Sequence, residues 1–225
     1  MRTGYFFFAF FSACLLASCA ASSEKNARTF TNYSGQDHGV VVVGIGAKKG
    51  TEYDGIALSF RRLGDQPNPP LFSHDSSDPL RYVQGIFVYF QNNIFAKEEP
   101  DYKSDEEAGI LHVATLPPGQ YELFKVGAHL GGGGFFSKDP FSIPFTVNAG
   151  EVTYLGNFQA NRTPIRRFLG LPGYGGPYFV VADRMTSELE LAEKKSALKF
   201  HAVSNATPDV DNLRIGFFVR GQLSD

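Results

Sequence analysis

The residues of this chain that could do chemistry are a lone thiol, five histidines, one dense run of carboxylates and one glycine-rich run. Cys19 is the most specific of them. It follows one positive charge at Arg2, an apolar run from Tyr5 to Leu16, and the small residues Ala17-Ser18. Such a sequence reads as a secretory signal peptide over residues 1–18. A transmembrane helix would need about 20 apolar residues, and polar Ser22-Ser23-Glu24-Lys25-Asn26 follows too soon. The second cysteine, Cys14, lies inside the signal. An exported domain with no further cysteine has no disulfide framework, so Cys19 is expected to be modified rather than paired.

The Leu16-Ala17-Ser18-Cys19 ending resembles the lipobox of bacterial lipoproteins. That resemblance implies a diacylglyceryl group on the Cys19 thiol and cleavage of the bond before it. The residue after it is Ala20, not Asp, which by the same resemblance favours the outer membrane. Cleavage after Ala20 is the alternative, since Ser18-Cys19-Ala20 also fits a small-x-small site. It would release an unlipidated secreted protein.

The other candidates are weaker. Gly44-Ile45-Gly46-Ala47-Lys48-Lys49-Gly50 suggests a nucleotide loop, but its last glycine comes one residue late and a strand follows. Neither a dinucleotide fingerprint nor a P-loop fits, and a hairpin turn is expected. His38, His74, His112, His129 and His201 show no H-x-H or H-x-x-x-H pair, so no local metal site is expected. Glu98, Glu99, Asp101, Asp105, Glu106 and Glu107 lack the calcium-loop spacing and read as a solvated acidic loop. No G-x-S-x-G elbow occurs. Catalytic, cofactor-binding and metal-binding residues are therefore all expected to be absent, with Cys19 as the one assigned site.

These residues must be held by a domain whose composition is β-rich. Phe is present 22 times and Gly 24 times, with no Trp. Aromatic and β-branched residues between glycine and proline punctuation point to strands and turns. The formal charge is −2, and loss of Arg2 with the signal makes the rest one unit more acidic. No basic stripe supports a nucleic-acid partner. Arg61-Arg62 and Arg166-Arg167 are the only arginine pairs and read as solvated strand edges or loops.

Polar residues 19–38 read as a flexible tether, and residues 39–225 as one domain. Val40-Val41-Val42-Val43-Gly44-Ile45 suits a buried central strand, with Ile56 to Arg61 pairing back against it. A strand is expected over 82–90. Hairpins are expected from 109–116 with 120–128 around Pro117-Pro118-Gly119, and from 141–147 with 152–158. Residues 161–177 read as a Gly/Pro-rich connection, whose aromatic stretch 168–178 is expected to fold back over the sandwich. A short strand is expected at 178–181. Asp183 caps a helix over 184–198, and a last strand spans 213–219. About nine strands and one late helix define a mainly β fold, a single two-layer antiparallel sandwich.

Two segments carry a second resemblance. Leu116-Pro117-Pro118-Gly119-Gln120-Tyr121-Glu122-Leu123, and the hairpin segment from Phe145 to Asn157, resemble bacterial lipoproteins of the DUF2846 type with a transthyretin-like (prealbumin-like) sandwich. Val181-Ala182-Asp183-Arg184 adds a weaker match. The resemblance implies an inward-packed Tyr121 and offers no catalytic residues. The expectation is a non-enzymatic binding or structural accessory module in the cell envelope. Its partners are the lipid bilayer, through acylated Cys19, and another envelope protein. The alternative function is an envelope hydrolase assembled from distant residues.

Overall fold

The computed structural model describes residue 33 and residues 36–49, 55–63, 84–89, 99–130, 133–138, 141–213 and 215–221. Cys19, the signal segment, most of the tether and His74 lie outside the described residues. In chain order the strands are β1 (Gly39–Lys48), β2 (Gly55–Arg62), β3 (Gln84–Tyr89), β4 (Tyr102–Lys103), β5 (Glu107–Leu116), β6 (Gly119–Leu130), β7 (Gly133–Phe136), β8 (Ile143–Val147), β9 (Val152–Arg166) and β10 (Pro172–Ala182). Helix α1 (Met185–Ser196), β11 (Val203–Asn205), the short α2 (Val210–Leu213) and β12 (Phe218–Arg220) follow.

The fold is mainly β, in two sheets. The larger runs β12-β10-β9-β1-β5-β4 with β11 also on β9; the smaller runs β3-β2-β6-β7 with β8 also on β6. The smaller sheet is antiparallel throughout. The larger is mixed, because β1 and β11 pair parallel to β9, and β12 parallel to β10. The antiparallel expectation is therefore corrected for that sheet.

All three expected pairings are corrected for one physical reason. β1 and β2, β5 and β6, and β8 and β9 are consecutive strands that lie in opposite sheets. The two strands of each pair therefore belong to different layers and form no hairpin. Turn residues such as Pro117-Pro118-Gly119 reverse the chain in either geometry, and both strands keep an apolar face towards the same core. Tyr121 packs inward as expected, 5% exposed, and its hydroxyl donates to the Pro117 carbonyl at 2.8 Å.

The continuous valine run of β1 is explained by burial on both faces. Val41, Val43 and Ile45 face the core between the sheets, with Ile56, Leu58 and Phe60 of β2 and Leu123 and Val126 of β6. Val42 faces outward with Leu111, Val152 and Tyr154, where Ala192, Met185 and Leu189 of α1 cover it. The helix thus forms a third layer against the outer face of the larger sheet. Asp183 caps it through the Met185 N–H at 3.0 Å, while Arg184 is the boundary residue. Leu213 ends α2 rather than opening the last strand.

Residues 161–177 are not an irregular connection. β9 loses its β1 partner after Ala160, yet continues paired with β10 to Arg166 opposite Pro172. The result is a two-stranded finger tipped by a 3-10 turn at Phe168–Gly170. Its aromatic stretch does not fold back: Phe168 is 86% exposed and Leu169 82%.

Candidate functional site

The densest polar constellation lies between the larger sheet and α1, and its construction starts from missing side chains. Gly44 and Gly46 are consecutive outward-facing positions of β1, and Gly109 stands opposite Gly46 on β5. The Gly44-Ile45-Gly46 run is therefore inside a strand, not in the expected turn. A Cβ on Gly44 would lie 2.6 Å from one Glu188 carboxylate oxygen and 2.7 Å from the other. A Cβ on Gly46 would lie 2.6 Å from the Ala108 carbonyl oxygen and would overlap the Gln159 amide. The glycines leave a hollow in the sheet, and polar side chains fill it.

A β-bulge supplies two of those side chains. Val42 pairs with Tyr154 and Gly44 with Asn157, so β9 carries one extra residue there. Gly156 takes the bulge with φ +96°, in the left-handed region that glycine tolerates. The extra residue shifts the alternation, so that Asn157 and Gln159 point outward like Tyr154. β4 adds Tyr102, and α1 adds Glu188 from above.

The groups close on one another. Tyr154 donates to Glu188 Oε2 at 2.8 Å, and Asn157 Nδ2 donates to Glu188 Oε1. Asn157 Nδ2 also donates to the Tyr102 hydroxyl at 2.7 Å, as does Gln159 Nε2. Gln159 Nε2 reaches Asn157 Oδ1 at 2.8 Å, and the Arg184 N–H reaches the Tyr154 hydroxyl at 3.1 Å. Within the cluster, Gln159 Oε1 is the buried atom left without a partner. Glu188 is 2% exposed, and Tyr154 and Asn157 are fully buried.

Burial dominates the electrostatics. It pushes the Glu188 carboxyl up to about 7, against the hydrogen bonds from Tyr154 and Asn157 and the charge of Arg184. Burial and the nearby Glu188 raise the Tyr102 and Tyr154 hydroxyls well above the ordinary phenol range. An open depression of about 740 Å³ borders the cluster, lined by Tyr102 and Glu188 together with Lys103, Glu107, Arg184 and Ser187. Arg184 holds Glu107 through both guanidinium nitrogens there, one of them at 3.0 Å. Each Glu188 oxygen accepts a hydrogen bond from the sheet, from Tyr154 or Asn157, so the carboxyl pins α1 to the sheet.

The sign of its pH dependence follows. A carboxyl raised from 4.5 to about 7 on folding contributes stability that is complete below pH 4.5 and lost as pH rises through 7. In urea titrations from pH 4.5 to 8, the wild-type chain is expected to lose up to about 3 kcal/mol relative to Glu188→Gln. Parallel curves for the two proteins would show that Glu188 does not titrate there. His112 acts in the opposite sense and is common to both proteins. Burial and Lys195 depress its ring to about 4, so its contribution is complete above pH 6.5 and lost as pH falls through 4.

Among the described residues, the histidines do not converge on one site. His112 lines a second open depression, of about 750 Å³, with Glu99, Asp101 and Lys195. Neither carboxylate hydrogen-bonds its ring, and its Nε2 is buried without a partner. Asp101 instead accepts from the Leu111 N–H at 2.7 Å and from Lys195 Nζ at 2.6 Å. The acidic run is thus not wholly solvated: Asp101 and Glu107 fasten the edge of β5 and the start of α1. His129 lies on β6 in the other sheet, against the Phe136 ring, and His201 is exposed. Among the described residues no group of three or more His, Cys, Asp or Glu could hold a metal ion, and no helix is long and apolar enough to cross a membrane.

Sequence reasoning missed Glu188, although a signal was present. Glu188 stands at i+3 on the stripe Met185, Leu189 and Ala192, where an apolar residue is expected.

No family model and no curated protein matches this chain. Among solved structures, a leucine-rich repeat protein from Bacteroides thetaiotaomicron aligns with 54% of this chain at 14% identity and a TM-score of 0.30. The chain spans 13% of the length of that protein.

Proposed function

We propose that this chain is a cell-envelope lipoprotein, anchored through an acylated Cys19, whose β domain is a non-enzymatic binding or structural accessory module. Closure of the Glu188 cluster is the observation that supports the non-enzymatic reading. A general acid or base must reach the proton it moves, whereas Glu188 is 2% exposed and both its oxygens bond side chains of the sheet, Tyr154 and Asn157, which suits a structural role. Among the described residues no carboxylate hydrogen-bonds the His112 ring, so His112 adds no support for a hydrolase. The Leu16–Cys19 sequence supports the anchor, and Ala20 supports the outer membrane. Several acyl chains, at about 0.8 kcal/mol per buried CH₂, make attachment stable. The finer assignment, a transthyretin-like sandwich, rests on the Leu116–Leu123 and Phe145–Asn157 segments and the inward Tyr121.

Metabolic labelling with an alkyne fatty acid tests the anchor. Wild-type protein is expected to take up label and Cys19→Ser none. Equal labelling of both would remove Cys19 from the account.

A further inference from the structure

The finger formed by the ends of β9 and β10 is chemically unlike the rest of the domain. Its tip presents Phe168 at 86%, Leu169 at 82% and Leu171 at 59% exposure, with Ile165 at 42% on the adjoining strand. Leu169 sits at φ +64°, ψ 19° in the left-handed region, an uncommon conformation for a branched apolar residue. It places a leucine in solvent instead of against the sheet. The exposed Arg166 and Arg167 adjoin this tip, and no Asp or Glu occurs between Asn161 and Ala182. On a chain of net charge −2, that stretch is a local concentration of positive charge.

We infer that the finger is a second membrane contact: Phe168, Leu169 and Leu171 insert into the interface of an anionic bilayer while the arginines hold its headgroups. An apolar tip with two arginines at its base matches the depth profile of such a surface, acyl region beneath and phosphate above. A protein partner would need an apolar pocket with an acidic rim, whereas a bilayer supplies both layers without further shape matching. β1 and β9 run parallel, so the tether enters at one end of the sheet and the tip projects from the other. Val152 is level with the start of β1, and Arg166 stands roughly 45 Å beyond it by strand rise. The contact is screened by salt, as attraction between exposed charges and a surface must be.

The inference rests on the lipoprotein reading for the other attachment, at Cys19, and the test separates the two. The acylated mature chain carrying Leu169→Cys is labelled with a polarity-sensitive dye and reconstituted in vesicles with nitroxide-bearing lipid. A dye at Thr186→Cys, on the exposed side of α1, is the reference. In phosphatidylglycerol vesicles the dye at 169 is expected to be quenched at least threefold more than at 186. Arg166→Glu with Arg167→Glu is expected to abolish that difference, as is phosphatidylcholine in place of the anionic lipid. Both arginines are exposed and outside the core, and an unchanged melting temperature verifies the variant's fold. Equal quenching at 169 and 186, or shielding of 169 only by an added envelope protein, overturns the membrane contact. The mass of the reconstituted chain reports acylation of Cys19 independently, so failure of the anchor and failure of the finger give different results.

Discussion

Glu188→Ala is expected to lower the unfolding free energy by about 3 kcal/mol and to loosen α1 from the sheet. The substitution strands the Tyr154 hydroxyl and one Asn157 N–H, both fully buried donors. Each orphaned group costs about 1–3 kcal/mol, and removal of a buried carboxyl offsets part of the total. Glu188→Gln keeps the volume and an acceptor, so at pH 5, where the carboxyl is protonated, it is expected to fall within about 1 kcal/mol of wild type. Urea midpoints for both variants check this ordering. An alanine variant as stable as wild type would mean that the hydrogen bonds at Glu188 contribute nothing net to the docking of α1.

Gly46→Ala is expected to cost about 3 kcal/mol or more, although it adds one methyl group to an outward-facing strand position. The new Cβ would meet the Ala108 carbonyl of the neighbouring strand at 2.6 Å, and backbone cannot step aside as a side-chain end can. β1 is central, paired to β5 on one edge and β9 on the other, so strain there spreads through the sheet. Gly176→Ala is the control, because a Cβ there meets nothing within 4 Å. It is expected to change stability by less than about 0.5 kcal/mol. Thermal melts of the two variants decide the point, and equal melting temperatures would remove close packing at Gly46 from the account.

Much of the domain was legible wherever one residue pattern admits one structure. The valine run of β1 suited a buried central strand, and the structure buries it on both faces. The stripe of Met185, Leu189 and Ala192 gave α1 to within two residues. Pairing was not legible, because an arch and a hairpin make the same demands on Pro117-Pro118-Gly119 and on the amphipathic strands beside it. The site was hidden for a related reason. Gly44-x-Gly46 reads as a turn until β5 and β9 are known to flank it, and Glu188 reads as a solvated helix residue until its face is known. Gly156 carried a trace of the site, since a glycine between Leu155 and Asn157 in a strand marks a bulge. The finger was misjudged on average behaviour: apolar loop residues usually find cover, but here Phe168 and Leu169 stand in solvent.

The central claim is that the domain is held at a membrane by Cys19, and mass spectrometry of the mature N-terminus tests it most directly. The account predicts a chain beginning at Cys19 whose first peptide carries a diacylglyceryl group on sulfur. A chain beginning at Ala21 without acyl mass would contradict it and leave a secreted β-domain with no anchor.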